Sequence, residues 1–210
     1  MIKFYLIVTI FISLSFPSKN LFLLNLMNEK SDWVYDYVDD DIKVFVMNND
    51  SLPIIKLEKT VQNVEGLFEI ILNVENYNNV LTERTLTSEY LGEIVDTTYG
   101  YQITKNYIPF TKNRHLIFKM YAINDNRIEW YLVGEKHPYF IPYKKRRSKE
   151  LIFGGGAWQI VELDSGKYKL IHYLYIDPRL KMPKFLLNSV TKKSVLKVFK
   201  DVLNSYHKIK

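Results

Sequence analysis

The side chains that could carry out chemistry are few and lie far apart in this chain. It has no cysteine, which excludes disulfides, thiolate nucleophiles and cysteine-ligated metals. Its four histidines, at positions 115, 137, 172 and 207, have no metal-binding spacing, and no Gly-x-Ser-x-Gly turn offers a serine nucleophile. We therefore predict no metal, no cofactor and no catalytic residue, and we expect a function in binding.

His172 has the most informative setting of the four histidines. It lies in the alternating run "KYKLIHYLYI", where Lys167 and Lys169 mark the solvent-facing side, because successive side chains of a strand point to opposite faces. The opposite, inner face then holds Tyr168, Leu170, His172, Leu174 and Ile176. An inward histidine is either a core residue fixed by a backbone carbonyl or a polar anchor for a ligand head group in an apolar chamber. Acid–base chemistry with Tyr173 and Tyr175 is a weaker hypothesis, since these two point to the other face.

Two further strand-like runs show the same alternation. In "RHLIFKMYA" and "RIEWYLV", the charged residues Lys119 and Glu129 mark the outer face. The inner face is predicted to hold Leu116, Phe118, Met120, Ile128, Trp130 and Leu132. Arg114 opens the first run after a turn, and it is expected either to bind backbone carbonyls or to contact a ligand head group or membrane. The run "FGGGAW" continues as a strand, which favours a bulge or a close backbone approach over a phosphate loop.

Size and charge limit the functions that this chain can have. With 210 residues, 47% of them hydrophobic, it can bury one sizeable core, and its 16 Tyr and 12 Phe suit a broad core or a lined cavity. The net charge of +6 favours acidic partners such as anionic membranes. Its densest basic cluster, at 144–147, is interpreted as a solvated loop or a membrane contact. No nucleic-acid-binding signature accompanies it, so we predict no nucleic-acid partner.

The amino-terminal sequence "MIKFYLIVTIFISLSFPSKN" has the pattern of a targeting segment. Lys3 precedes an apolar run over 4–16, which is short for a membrane span and suits a secretory signal. Three hypotheses remain open for 1–18: a cleaved signal peptide, an uncleaved anchor, or an apolar leader of a cytosolic protein. The first predicts export to the periplasm or outside the cell, and the second predicts a membrane-anchored protein.

The apolar periodicity of the rest of the chain predicts one sheet and one long helix, which carry the candidate residues. The sequence predicts a short helix around 32–37, a hairpin from "IKVFVMNN" and "IIKLEKTV", and helices over 63–72 and 75–81. Six strands follow, over 89–95, 98–107, 114–122, 127–133, 148–161 and 167–176. From Pro183 a broad apolar stripe predicts a helix with Leu187, Val190, Val195, Val198, Phe199, Val202, Leu203 and Tyr206 on its buried side. Strands in succession with helices at each end indicate an α+β fold.

Five segments in this order resemble the START (steroidogenic acute regulatory-related lipid-transfer) domains of the helix-grip, or Bet v1-like, superfamily. They are Trp33 before "DIKVFV", then "VEGLFEIILNVENY", "YIPFTKNRHLIF", "GGGAWQIVEL" and "YIDPRLKMPKFLLN", and the resemblance covers 30–210. It implies a curved antiparallel sheet around a long C-terminal helix, with a tunnel between them that holds one lipid. The hinge glycine of the family is Leu180 here. Tyr101 and Met120 stand where sterol-carrying members have a charged pair, which leaves the ligand's identity open.

Together these observations predict a non-enzymatic lipid-binding or lipid-transfer protein. We expect a monomer that holds one hydrophobic molecule and touches a membrane transiently while its hinge, from Asp177 onward, opens. The alternatives are a cyclase-like or hydrolase-like enzyme on the same fold, and a scaffold whose cavity is filled. The predicted ligand-contacting residues are Tyr101, Arg114, Leu116, Phe118, Met120, Trp130, Leu170, His172, Leu174, Leu187, Val195 and Phe199.

Overall fold

The computed structural model describes residues 19–28, 33–48, 53–81, 85–104, 112–134, 148–177, 179 and 183–209. They form an α+β fold in which an open, mainly antiparallel sheet wraps around one long C-terminal helix, so the predicted fold class is confirmed. The leader at 1–18, the basic cluster at 144–147 and the hinge residue Leu180 lie outside the described residues. Their predicted roles remain predictions.

The sheet follows the chain closely on both sides of one crossover. Its strand order is β1-β2-β3-β10-β9-β7-β6-β5-β4, and β8 pairs with β6 off this path. The bounds are β1 Val34–Asp39, β2 Ile42–Asn48, β3 Pro53–Val61, β4 Thr85–Ile94, β5 Thr97–Thr104, β6 Arg114–Asn124, β7 Arg127–Leu132, β8 Lys149–Leu151, β9 Gly154–Glu162 and β10 Tyr168–Ile176. Pairing of β3 with β10 joins the first hairpin to the later meander, so one concave face runs across the whole sheet.

The strand predicted over 148–161 is in fact two strands. β8 pairs in parallel with the start of β6, whereas β9 pairs with β7 and β10. The chain changes neighbours at Ile152 and Phe153, and alternation within a single segment cannot show such a change.

The short helix predicted around 32–37 is wrong, because β1 occupies most of that segment. β1 pairs with β2 across a two-residue turn, in which Asp40 and Asp41 have φ of 48° and 63°. Such left-handed turns match the twist of a hairpin, and aspartate tolerates them. The valines and tyrosines of "VYDYV" suit a strand better than a helix.

Four α-helices are present in the described part of the chain. They are α1 Lys19–Asn28, α2 Leu67–Leu72, α3 Tyr77–Val80 and α4 Lys184–Ile209, with a 3₁₀ turn at Val74–Asn76 before α3. The helices expected over 75–81 and from Pro183 are confirmed in position, and the one expected over 63–72 is present but begins at Leu67. None of the described helices is both long and apolar enough to cross a membrane.

The main core lies between the concave face of the sheet and α4. It contains the inner-face residues predicted from β6, β7 and β10 together with the apolar stripe of α4, and α2 and α3 close one side of it. The strand facing inferred from Lys119, Glu129 and Lys169 is therefore confirmed.

The convex face differs from the expected wet surface, because α1 covers part of it. Leu23, Leu24 and Met27 of α1 pack on Ile171 and Tyr173, which are outer-face residues of β10. The Asn20 side chain donates to the Leu132 carbonyl at 2.6 Å and accepts from the Gly154 amide at 3.1 Å. α1 precedes the domain start predicted at residue 30 and packs against the sheet, and the predicted domain bounds stay a prediction.

Glu129 points to the convex face as expected, but it is buried there. Its Oε1 accepts a hydrogen bond from Arg127 Nε at 2.8 Å, and Arg127 also donates to Gln159 Oε1 at 3.2 Å. A carboxylate can be buried when a cation and hydrogen bonds compensate its lost hydration. A charge in the sequence thus identified the correct face but not its exposure.

The three glycines that open β9 allow close approach of neighbouring strands. A Cβ on Gly156 would lie 2.3 Å from the Tyr173 carbonyl oxygen and 2.9 Å from Trp130 Nε1. The interpretation of "FGGGAW" as a close backbone approach is therefore confirmed. The absence of a side chain at Gly156 also leaves room for the Trp130 indole on the concave face.

Candidate functional site

A partly open cavity of about 230 Å³ lies between the concave face of the sheet and the first half of α4. Its wall comes from α2, α3, α4 and seven strands, and most of its surface is apolar. The lining residues are Ile71, Tyr77, Leu81, Thr85, Gln102, Thr104, Arg114, Leu116, Phe118, Met120, Trp130, Leu151, Trp158, His172, Leu174, Ile176, Leu187, Val190, Thr191, Ser194, Val195, Val198 and Val202.

The structure brings together most of the residues predicted to contact a ligand. β6 and β7 contribute one wall, β10 the adjoining wall, and α4 the cover. The predicted residues that line the cavity are Arg114, Leu116, Phe118, Met120, Trp130, His172, Leu174, Leu187 and Val195. Their contact with a ligand remains a prediction.

Three of the predicted residues lie away from the cavity. Leu170 and Phe199 are fully buried in the packed core, where the Phe199 ring stacks on Trp158 with centroids 5.5 Å apart. Tyr101 packs with Ile117 in a separate cluster on the convex face. It points there because Gln102 and Thr104 of the same strand line the cavity, and neighbouring positions alternate.

The sequence reasoning found Arg114 but missed the other residues of the polar part of the cavity wall. Thr85, Thr104 and Arg114 are register neighbours on β4, β5 and β6, and all three line the cavity. No prediction was made of which face of β5 points inward. With that face known, the alternation of β5 would have identified Gln102 and Thr104. The contribution of Thr85 depends on β4 pairing with β5, for which the local sequence gives no signal.

Arg114 places a cation in this polar part. The residue is 8% exposed, and burial lowers the pKa of its guanidinium, although arginine keeps its charge at physiological pH. One of its guanidinium nitrogens donates to the carbonyl of Lys112. Both interpretations of Arg114 are therefore compatible with its position, since it binds a backbone carbonyl and also lines the cavity.

His172 lies deeper in the cavity wall. Its ring stacks on Trp158 with centroids 3.9 Å apart, and Nδ1 lies 3.2 Å from the Ala157 carbonyl oxygen. Burial lowers the pKa of the imidazole from 6.5 to about 3, and the bond to Ala157 opposes this shift only in part. The ring is therefore neutral at physiological pH, with its proton on Nδ1, because a carbonyl oxygen can only accept.

This environment is a poor one for acid–base catalysis near neutral pH. A general acid or base works best when its pKa is near the operating pH, and that of His172 is several units lower. Tyr173 and Tyr175, the partners considered from the sequence, are buried on the convex face beneath α1. In the described ranges no group of three or more His, Asp or Glu side chains could hold a metal ion.

The two hydroxyls that α4 contributes to the wall are already engaged. Thr191 Oγ1 donates to the Leu187 carbonyl at 2.8 Å, and Ser194 Oγ donates to the Val190 carbonyl at 2.7 Å. Each hydroxyl has a single hydrogen to donate, so neither can donate to a ligand without breaking the helix contact. The cover of the cavity therefore behaves as a mainly apolar surface.

The first turn of α4 exposes two large apolar side chains, whereas its second half packs into the core. Phe185 is 69% exposed and Leu186 is 42% exposed, whereas Phe199 and Val202 are buried in the core. Lys192 forms an ion pair with Asp36 of β1. Towards the second half, Lys200 pairs with Asp39, with Nζ and Oδ2 3.0 Å apart, and also with Asp40.

Comparison with known proteins relates this architecture to solved structures. No family model and no curated protein matches the chain. A STAR-related lipid transfer protein from Xanthomonas axonopodis superimposes with a TM-score of 0.66 at 16% identity, over 81% of this chain and 96% of that one. Human StAR-related lipid transfer protein 5 gives 0.68 at 14% identity, over 90% and 93%.

An enzyme also shares this architecture at a lower similarity. The Zhui aromatase/cyclase from a Streptomyces species superimposes with a TM-score of 0.50 at 14% identity, over 74% of this chain and 94% of that one. At these identities the likenesses show the fold alone. The chain has the helix-grip fold of START domains, and the resemblance drawn from its sequence is confirmed at that level.

Proposed function

We propose that this protein binds one hydrophobic molecule in its cavity and transfers it between membranes without chemical change. The observation that carries this proposal is the cavity itself, which is apolar over most of its wall and has a polar row containing Arg114. Such a site suits an amphiphile, because burying its tail is favourable while its polar group still finds partners. The lipid-transfer proteins that share the fold support the same proposal.

The size of the cavity favours a compact or single-chain ligand. Its volume of about 230 Å³ is somewhat below the range of about 300–1,000 Å³ typical of pockets for drug-sized ligands. A two-chain lipid would therefore require α4 to move away from the sheet. The presence of this space also counts against the alternative of a scaffold with a filled interior.

The gate in this proposal is the segment from Asp177 into the first half of α4. Arg179 has a φ of 51° and donates its amide to Asp177 Oδ1 at 2.8 Å, which forms a tight turn after β10. Helix α4 then begins beyond Pro183, whose fixed φ suits a helix start. Opening would separate Leu187 from the sheet while the buried second half of α4 stays in place.

Membrane contact in this proposal occurs at the gate. Phe185 and Leu186 are exposed there, and Lys192 and Lys193 lie within two turns along the same helix. Apolar side chains next to lysines are attracted to an anionic bilayer surface.

We propose further that 1–18 either exports the protein or anchors it, and that the domain is monomeric. Intact-mass measurement of the protein from its native cell shows whether 1–18 is removed, and native mass spectrometry gives the oligomeric state.

Enzymatic activity is the alternative function, and the aromatase/cyclase likeness is the observation in its favour. The residues of this cavity favour binding instead, because the neutral, buried His172 is the one candidate that the sequence offered for acid–base chemistry. Turnover that is lost in a His172→Ala variant while lipid uptake persists would favour the enzyme.

Native mass spectrometry tests the binding proposal directly. Purified protein is incubated with vesicles of mixed lipids, separated from them and examined for bound mass. We expect one lipid per chain, and much less in Ser194→Trp, where an indole fills the cavity. Ser205→Trp, on the same helix but away from the cavity, should bind as the wild type does. A wild-type protein that takes up no lipid contradicts the proposal.

The gate is tested by tethering α4 to β1. Because the chain has no cysteine, Asp36→Cys with Lys192→Cys supplies the only two thiols, which a short linker cleavable by reductant can join. We expect the tether to slow lipid exchange and reduction to restore it. The control joins Asp39→Cys to Lys200→Cys on the fixed half of α4. Equal slowing by both tethers would refute the assignment of the gate.

A further inference from the structure

His172 carries an unused hydrogen-bond acceptor in the wall of the cavity. The residue is 1% exposed, its side chain lines the cavity, and Nε2 has no hydrogen-bond partner among the described residues. Buried polar atoms are nearly always paired in folded proteins, so an unpaired one beside a ligand cavity indicates a partner that the ligand supplies.

The chemistry of that partner follows from the tautomer. Nδ1 lies 3.2 Å from the Ala157 carbonyl oxygen and must therefore carry the ring proton. Nε2 is then a lone pair that can only accept. An ester, ketone or ether oxygen is itself only an acceptor and cannot satisfy it, whereas a hydroxyl or an amide N–H can.

Trp158 covers one face of the ring and the Nε2 atom is itself buried, so a ligand meets it at the ring edge when neighbouring side chains of the cavity wall move aside. Trp158 stacks on the ring at 3.9 Å, and Phe199 lies beyond it with centroids 6.4 Å from His172. The ring is also fixed along β10, where His172 is in register with Leu57 on one side and Trp158 on the other. A flip of the ring about the Cβ–Cγ bond would exchange Nδ1 with Cδ2 and break the Ala157 bond, so Nε2 stays on the same edge.

We propose that His172 Nε2 accepts a hydrogen bond from a hydroxyl or amide N–H of the cavity ligand, so that the site selects hydrophobic molecules carrying a donor group. This inference rests on the proposed lipid-binding function and specifies its ligand class. His172 is in this proposal a specificity-determining residue, which discriminates against ligands that leave its acceptor unpaired.

Matched ligand pairs test the proposal. Phosphatidylcholine vesicles carry equal amounts of the two members of one pair. The first pair is hexadecanol, which has a donor, and hexadecyl methyl ether, which has none; the second is hexadecanamide, which has a donor, and its N,N-dimethyl derivative, which has none. The protein is recovered and its bound species are quantified by native mass spectrometry. For at least one pair we expect the wild type to capture the donor-bearing member by about tenfold over its partner, a ratio appropriate to one buried hydrogen bond.

Two variants separate the acceptor from the rest of the ring. His172→Asn places an amide near the Nδ1 position and can keep the Ala157 contact, but it has no atom at the Nε2 position. His172→Gln reaches the Nε2 position and retains an acceptor there. We expect the preference to fall to about one in the Asn variant and to persist in part in the Gln variant. Circular dichroism confirms that each variant is folded before the ratio is measured.

The outcomes distinguish this inference from the function on which it rests. Wild-type protein that captures both members of each pair equally refutes the role of His172 and leaves lipid binding intact. An unchanged preference in a folded Asn variant refutes it as well. Wild-type protein that captures neither the probes nor phosphatidylcholine overturns the proposed function, and the inference with it.

Discussion

The buried neutral state of His172 predicts how the stability of the protein depends on pH. The unfolded chain has an ordinary histidine with a pKa near 6.5, whereas burial lowers the pKa in the folded protein to about 3. Below about pH 6.5 the unfolded state therefore binds a proton that the folded state excludes. As the pH falls from there towards the pKa of the folded protein, the free energy of unfolding decreases by about 1.4 kcal/mol per pH unit. Above about pH 6.5 this loss is absent.

Between about pH 7 and pH 5 the loss from His172 amounts to about 2 kcal/mol of unfolding free energy. This value is insensitive to the folded pKa, provided that it lies well below 5, because the folded histidine then remains neutral throughout the interval. His172→Leu removes the titration while keeping an apolar side chain next to Trp158. We expect the variant to lose about 2 kcal/mol less than the wild type over this interval.

Urea unfolding at several pH values measures both proteins under identical conditions. Groups other than His172 contribute equally to each and cancel in the difference. His207→Gln, an exposed histidine on α4, is the matched control for removing an imidazole. His172→Gln provides a second test should the leucine variant fail to fold. Equal pH dependence in wild-type and folded His172 variants would refute the buried neutral assignment.

Three further predictions concern the scaffold around the cavity. Asn20→Ala should destabilise the protein by about 2 kcal/mol and speed hydrogen exchange in α1, because the buried Leu132 carbonyl and Gly154 amide lose their bonds; Asn25→Ala, exposed on the same helix, should do neither. Val95→Asn should raise the thermal midpoint and stabilise by about 1 kcal/mol, since Val95 is 88% exposed in a left-handed turn with φ of 45°; an unchanged midpoint would contradict this. Gly156→Ala should cost more than 2 kcal/mol in urea unfolding, because its Cβ would lie 2.3 Å from a backbone carbonyl; a smaller cost would show that β9 can shift.

Local alternation in the sequence was sufficient to find the concave wall. Lys119 and Lys169 each identified one face of a strand, and the opposite faces contain Phe118 and His172, which line the cavity. This worked because charged side chains avoid burial without a partner, so a single lysine fixes the facing of a whole strand. The 3.6-residue periodicity identified the buried stripe of α4 for the same reason.

Two features of the sheet lay beyond the reach of local alternation. Tyr101 was assigned to the cavity by resemblance, whereas the pairing of β5 with β4 and β6 turns Gln102 inward. Glu129 marked the correct face but is buried with Arg127, because the covering of the convex face depends on elements distant in sequence. No local pattern reports which segments cover a sheet.

The sequence by itself determined which side chains share a face, because strand and helix periods are properties of neighbouring residues. Only the tertiary structure decided that α1 packs on the convex face, that β8 leaves β9 to pair with β6, and that His172 Nε2 has no partner among the described residues. Each of these is decided by how residues far apart in the chain pack, since the free energy of packing comes from burial and from satisfied or unsatisfied polar groups. The cavity likewise depends on tertiary packing, because local preferences determine each strand and helix but not how these elements pack against one another.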